Sequence, residues 1–525
     1  MILKEEYYKN PVLPGFYPDP SIVRVGDDYY MVNSTFQFFP SIIISHSKDL
    51  VNWRQIGHGV TNPEYLDLSD VEESWGVWAP DISYYEGTYY IFFTVIKSDP
   101  TTKKEIIYNY SIKSKRPEGP YSKPSLICQK GIDPSHFIDD DGTHYMVTNP
   151  ARITKMDSSC TKATGETVLV WEGTGLPHTE GPHIFKKDGY YYLVVAEGGT
   201  SYEHRVCVAR SKNLYGPYEE CPFNPVLMQT DRSSKIQKAG HGKLVQTQKG
   251  EWWMVYLCGR PLGAGFCVLG RETCLDRVRW TDDGWFIVNN GRPSIKSKRP
   301  DLPKFDYEFP YFDDFNSKIL SPVWQFVRSN YKEFWSLDER ESYLRLYCSN
   351  MDLDTLTPQA LILQRERSHN YCSTAKMEFE PQLNEEQAGL VCYYDKDAFI
   401  KFCVIYIDGE VRLKVIKKIA QKIENIAQYS AQVSNKIHYL RIVTSQLSRR
   451  FYYSNDNVQW VLVASIEDAS FLSDESVAQA TGRWAFTGTM TGMYAYNGGS
   501  GRKIYADFDW FCFEDFSIIN DNRCL

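Results

Sequence analysis

The chain has 525 residues, a net charge of −8 and a pI near 5.8, which is too long for one ordinary core and implies two domains. Lysine and arginine are scattered without the basic stripe that phosphate tracking needs, so nucleic acid is excluded as a partner. No apolar run approaches the roughly 18 residues of a membrane-spanning helix.

The opening segment, MILKEEYYKNPVL, carries acidic residues and lacks the apolar stretch of a secretory leader. The 13 cysteines form no Cys-x-x-Cys pair and no zinc-finger spacing, so they read as reduced core thiols, and a cytoplasmic location is expected. Aromatic residues make up 15% of the chain, which suits β-rich folds and sugar-stacking surfaces alike.

At residues 15–23 the chain reads GFYPDPSIV. Pro18 has a preset φ, and Pro20 is expected to push Asp19 toward an extended backbone, so the carboxylate sits on a stiff frame. Asp-Pro-Ser returns at 133–135. Between and beyond these points one pattern recurs five times: VGDDYYMVNST, YEGTYYIFFT, DDGTHYMVTNP, KDGYYYLVVAE and KGEWWMVYLCG. Each is a tight turn between alternating strands. A second hairpin follows several of them, in SHSKDLVNW, YSIKSKRPEGPYS and VARSKNLYGPYEE. Repeats of this size are expected to be four-stranded propeller blades, five of them across residues 11–292.

Counting back nine residues from Gly87, Gly142, Gly189 and Gly250 reaches Trp78, Asp133, Glu180 and His241, and eight back from Asp27 reaches Asp19. In a propeller these equivalent positions open the innermost strands and converge on one funnel. Three carboxylates beside an indole fit glycoside hydrolysis, where two carboxyl groups flank the scissile bond and an aromatic face stacks on the sugar. Neighbouring blades place Asp133 close to Glu180, raising its pKa for general-acid work. Asp19, two blades away, suits a base that activates water in an inverting reaction, where the carboxyls stand about 6.5–9.5 Å apart. His241 is expected to hydrogen-bond a carboxylate, with a water or cation as the alternative. A calcium ion in the propeller channel is a further alternative, as is a propeller that binds sugar without cleaving it.

Seven stretches, GFYPDPSIV, STFQFFPSIIISHSKDLVNW, WAPDISYYEGTYYIFFT, IDPSHFIDDDG, TEGPHIFKKDGYYYLVVAEGGTS, AGHGKLV and LGRET, run in order across the first 290 residues. Together they resemble glycoside hydrolase family 43, in its two-domain β-xylosidase and α-L-arabinofuranosidase group. The resemblance implies Asp19 as general base, Glu180 as general acid and Asp133 as the modulator of that acid. It further implies Phe36 and Trp78 as walls of the terminal-sugar subsite and Arg271 as a ligand of the sugar hydroxyls. An exo-acting enzyme follows, releasing xylose from β-1,4-xylo-oligosaccharides or arabinose from arabinosyl substrates, with no redox cofactor. Homo-oligomeric assembly is left open. The stretch GAGFCV before LGRET is short, which is expected to leave the blade-5 edge of the pocket open.

Prolines, glycines and a basic cluster mark a linker near 290–308, giving expected domains of 1–305 and 306–525. The second reads as strands throughout, with an Asp408-Gly409 hairpin turn. Its closing ADFDWFCFED resembles the concanavalin-like sandwich of the same group, with Trp510 and Phe511 in its core and the domain narrowing the pocket to a blind end. The fold class expected is all-β: a five-bladed propeller followed by a concanavalin-like sandwich.

Overall fold

The turn glycines of the five repeats, Gly26, Gly87, Gly142, Gly189 and Gly250, all take positive φ, from 63° to 82°, the backbone that tight hairpins require. The computed structural model describes residues 6–516 apart from 100, 103, 430–432 and 435; residues 1–5 of the opening segment lie outside the described residues. Each repeat opens a separate antiparallel sheet, with innermost strands Ser21–Val25, Gly76–Tyr85, Ser135–Ile138, Glu180–Lys187 and Gln237–Gln246. Four sheets have four strands, and the one opening at Glu180 has five. These sheets are the blades of a five-bladed β-propeller, numbered 1 to 5 in chain order. Ring closure uses the start of the chain: Leu13 bridges Thr273 of blade 5, and Tyr8 and Asn10 both donate to the Leu275 carbonyl, at 2.5 and 2.8 Å.

Apolar clusters fill the gaps between successive blades. Those between blades 1 and 2, 3 and 4, 4 and 5, and 5 and 1 hold 12 to 17 buried residues each. Among the described residues the gap between blades 2 and 3 has five, Tyr90, Phe92, Met146, Met156 and Cys160.

At the axis one buried carboxylate ties the ring together. Asp81 of blade 2 accepts from Ser21 Oγ of blade 1 at 2.7 Å and from the His136 N–H of blade 3 at 2.8 Å. His183 of blade 4 stands 3.5 Å away, and Lys243 of blade 5 donates its ammonium to Asp81, to Ser21 Oγ at 3.1 Å and to the Ile82 carbonyl at 2.9 Å. Lys243, His183 and these hydrogen bonds hold the Asp81 carboxyl below its ordinary range although burial acts in the opposite direction.

By compactness the chain groups as Met1–Pro261 with Arg271–Tyr307, and Leu262–Gly270 with Glu308–Leu525. Residues 262–270, counted with the first domain on sequence grounds, thus belong to the second unit. There the Cys267 N–H reaches Glu475 at 2.9 Å and the Thr489 N–H reaches the Val268 carbonyl at 3.0 Å, so the end of the stretch is packed within that unit, while Gly263 and Ala264 are exposed. The second unit contains a six-stranded and an eight-stranded antiparallel sheet around one apolar core. Asp408 and Gly409 both take positive φ, 51° and 89°, in their hairpin turn. Phe511 is in the core, whereas Trp510 is only half-buried and packs on Phe312 and Tyr439. Among the described residues the single α-helix is Asp474–Thr481, capped by Ser473.

Replacing Lys243 by methionine leaves Asp81 buried without its cation. The expected result is a loss of about 3–5 kcal/mol in denaturant unfolding of the propeller; an unchanged midpoint would show that the axial pair does not hold the ring.

Candidate active site

Three of the five equivalent positions share a left-handed backbone: φ is 52° at Asp19, 54° at Asp133 and 48° at His241. Asp19 is therefore not extended, as its two prolines had suggested. Each of the two aspartates is followed by proline and by the serine that starts its inner strand, and the left-handed turn takes the carboxylate off the alternating pattern of that strand. Such a conformation costs about 1–3 kcal/mol, which the bonds made by the side chains offset. Register slips at Trp78/Asp81, Glu180/His183 and Gln237/Gly240/Gly242 do the same in blades 2, 4 and 5, since a bulge re-aims the residues beside it.

Asp19 is buried and fixed at both oxygens. Oδ2 accepts from Ser34 Oγ at 2.6 Å, and Oδ1 accepts from Arg271 Nη1 at 2.9 Å. His241 Nδ1 lies 3.8 Å from the same Oδ1, too far for the hydrogen bond expected of it; it is a charge neighbour. The ring of His241 instead packs on Gly181, where an added Cβ would lie 2.8 Å from Nε2 and φ is 57°. Only glycine fits where the strand of the acid passes the imidazole.

Asp133 donates its N–H to Thr94 Oγ1 at 3.1 Å and accepts the Gly181 N–H on Oδ2 at 3.0 Å. It therefore grips the residue that directly follows Glu180. Burial raises the Asp133 pKa and the Asp19 charge adds to this, while His241, the Gly181 N–H and Arg271 act against it. Glu180 is raised further, to about 8, first by burial, then by Asp133 and Asp19, with Arg271 opposing. Burial thus outweighs the neighbouring aspartate as the cause, and the carboxyl keeps its proton at neutral pH.

The aromatic wall is built beside these acids. Phe36 and Trp78 lie with ring centroids 6.0 Å apart, Phe16 backs Phe36 at 5.8 Å, and the Arg271 guanidinium stands 5.4 Å from the Phe36 centroid. Trp78 is steadied by its Nε1–H donating to the Ser74 carbonyl at 3.0 Å. Phe36 and Val77 exchange backbone hydrogen bonds of 2.9 and 3.0 Å. Arg271 opens a strand whose next residue, Glu272, accepts from Arg260 at 2.6 and 2.7 Å and from the Gly15 N–H at 2.8 Å, so the loop bearing Asp19 is clamped to the strand bearing its partner.

Asp19, Arg271, Phe36, Trp78, His241 and Asp133 are joined by these contacts, and Glu180 joins them through Gly181, the next residue, whose N–H Asp133 accepts. Ser34, Thr94 and Gly181 complete the set and were not anticipated. All three lie in quoted motifs, but only Gly181 adjoins an acid in sequence; Ser34 and Thr94 meet the acids through the fold.

The sequence pattern of "Glycosyl hydrolases family 43" matches residues 8–286, and that of the "Beta xylosidase C-terminal Concanavalin A-like domain" matches 312–514. The chain belongs to glycoside hydrolase family 43. It is a glycosidase, of a family whose members typically work without a cofactor. A Vibrio protein named xylan 1,3-beta-xylosidase is 36% identical over 96% of this chain and 98% of its own. A Bacteroides ovatus non-reducing end alpha-L-arabinofuranosidase is 35% identical over 100% of this chain and 96% of its own. The crystal structure of a xylan beta-1,4-xylosidase from Bacillus halodurans superposes with a TM-score of 0.91 at 37% identity, covering 97% of this chain and 100% of that one.

The raised Glu180 pKa fixes a pH dependence. An acid that must carry its proton loses function as pH rises through its pKa, so kcat/KM on an aryl glycoside is expected to fall above pH of about 8. Removing the Asp133 charge in Asp133→Asn lowers the Glu180 pKa, and the alkaline limb should move to lower pH. A limb that stays in place would remove Asp133 from the electrostatics of the acid.

Proposed function

We propose that this glycosidase is an inverting, exo-acting β-xylosidase that releases xylose from the non-reducing end of β-1,4-xylo-oligosaccharides. The observation that carries the reading is the division of labour among two buried aspartates and the half-buried Glu180 beside one aromatic wall. Asp19, held by Ser34 and Arg271, takes a proton from water as the oxygen attacks the anomeric carbon. Glu180 gives its proton to the departing glycosidic oxygen as that C–O bond breaks. Asp133 keeps Glu180 protonated and sets the strand that bears it. Phe36 and Trp78 receive the pentose ring, and Arg271 serves both Asp19 and the sugar hydroxyls.

The reaction needs no calcium in this account. The oxygens that would face such an ion in the channel, those of Asp81, Ser21 and Ile82, already face the Lys243 ammonium, a donor set that does not suit a second cation. We also assign the protein to the cytoplasm, a reading supported by the 12 described cysteines, all free and ten of them buried.

α-L-Arabinofuranosidase activity is the second reading, favoured by the similarity to the Bacteroides ovatus enzyme. Comparing kcat/KM on 4-nitrophenyl β-xyloside and 4-nitrophenyl α-L-arabinofuranoside separates the two; a tenfold preference for the arabinoside would replace the first reading by the second. Asp19→Ala should leave the fold intact and lower kcat on both substrates by at least about 10³-fold. Glu180→Gln should fail on xylobiose yet retain more of its rate on the aryl glycoside, whose leaving group needs less protonation. Equal losses on both substrates would deny Glu180 the role of acid.

A further inference from the structure

Outside the funnel, three side chains with soft or borderline metal-binding atoms meet in the thinnest gap of the propeller. His136 and His144 are diagonal neighbours on the first two strands of blade 3, since Ile138 pairs with His144 and Met146 with His136. Their rings bring His136 Nε2 and His144 Nδ1 to 2.9 Å. Cys160, on the turn after the third strand, places Sγ 3.5 Å from the same Nε2. All three donor atoms lie within 4.8 Å of one another, and all three residues are buried. We propose that His136 Nε2, His144 Nδ1 and Cys160 Sγ form a binding site for one thiophilic transition-metal ion of the zinc class, which ties together three segments of blade 3 on the side that faces blade 2.

Four observations support the assignment. Zinc bonds of about 2.0–2.1 Å to nitrogen and 2.3 Å to sulfur, in tetrahedral geometry, need donors about 3.3–3.6 Å apart; the Cys160–His136 spacing already fits, the imidazoles need open only slightly, and the Cys160 and His144 donors, within 4.8 Å, close on the ion by side-chain rotation. Ser83 Oγ of blade 2 lies 2.6 Å from His136 Nδ1. By accepting an Nδ1–H it would leave the Nε2 lone pair for the ion, the outer partner that ligating histidines use. Cys160 holds φ of 57°, a costly conformation for a residue with a side chain, and its turn is pinned by Asp157, which accepts the Thr161 and Lys162 N–H groups at 2.8 and 2.9 Å. Among the described residues the gap holds five buried apolar ones, Cys160 among them, so the donors meet where apolar packing is thinnest and a polar cluster displaces least of it.

Binding balances simply. The proton shared between the imidazoles moves to His136 Nδ1 as that ring changes tautomer, and the Cys160 thiol releases one proton to solvent as the metal–sulfur bond forms. The neighbouring turn residues Ser158 and Lys162 are exposed, giving the ion a short way in.

The test is titration of the metal-free full chain with cobalt(II), read by thiolate-to-cobalt charge transfer in the near ultraviolet, followed by zinc(II) competition. One equivalent of cobalt should produce the band, zinc should abolish it, and zinc should raise the melting temperature. Cys160→Ser should lose the band, and His144→Gln should bind at least about tenfold more weakly, while Cys512→Ser, in the sandwich, keeps wild-type behaviour. Turnover of the aryl xyloside by each variant reports that it is folded. Absence of a saturable one-equivalent band in wild type, or a band undiminished in both Cys160→Ser and His144→Gln, would overturn the proposal.

Discussion

Everything at the site depends on the Asp81–Lys243 pair at the propeller axis. A ring of blades has no shared core, only the gaps between neighbours, so the relative heights of the inner strands must be set by something that touches them all. Asp81 does so: its carboxylate meets a serine, a backbone N–H, an imidazole and an ammonium from the other four blades. A buried ion pair of this kind contributes little net stability compared with apolar packing. What it supplies here is registration, and the three acids of the funnel, each at the start of an inner strand, inherit their relative positions from it.

The second constraint is electrostatic. Three acids in one buried funnel cannot all ionise without cost, and the fold distributes the burden unequally. Asp19 receives the guanidinium and a hydroxyl. Asp133 receives a backbone N–H. Glu180 receives neither and is raised furthest. The asymmetry by which, in the proposed reaction, one carboxyl serves as base and another as acid therefore lies in which partners the neighbouring strands deliver, since the groups themselves are chemically alike.

Much of this was legible in the sequence because a propeller repeats itself. Aligning the hairpin turns placed Asp19, Trp78, Asp133, Glu180 and His241 at equivalent positions, and Phe36 and Arg271 followed from the family resemblance. The illegible parts are those set by other strands. Ser34 sits 15 residues from the carboxylate it binds, and Thr94 39 residues from Asp133. The prolines around Asp19 suggested an extended backbone because local sterics were weighed without the bonds that offset a left-handed one. Lys243 lay inside a quoted motif, yet nothing local marks it as the partner of a residue 162 positions away. The anchoring of Cys267 and Val268 was illegible for the same reason, since their partners, Glu475 and Thr489, are distant in the chain.

The central claim is that Asp19 and Glu180 act from opposite sides of the anomeric carbon, one on water and one on the leaving oxygen. Proton NMR of the sugar first released from xylobiose, recorded before mutarotation, tests this directly. The account requires α-xylose from the β-linkage. Initial release of β-xylose would mean a double displacement through a covalent intermediate, and the assignment of Asp19 as a base would fall.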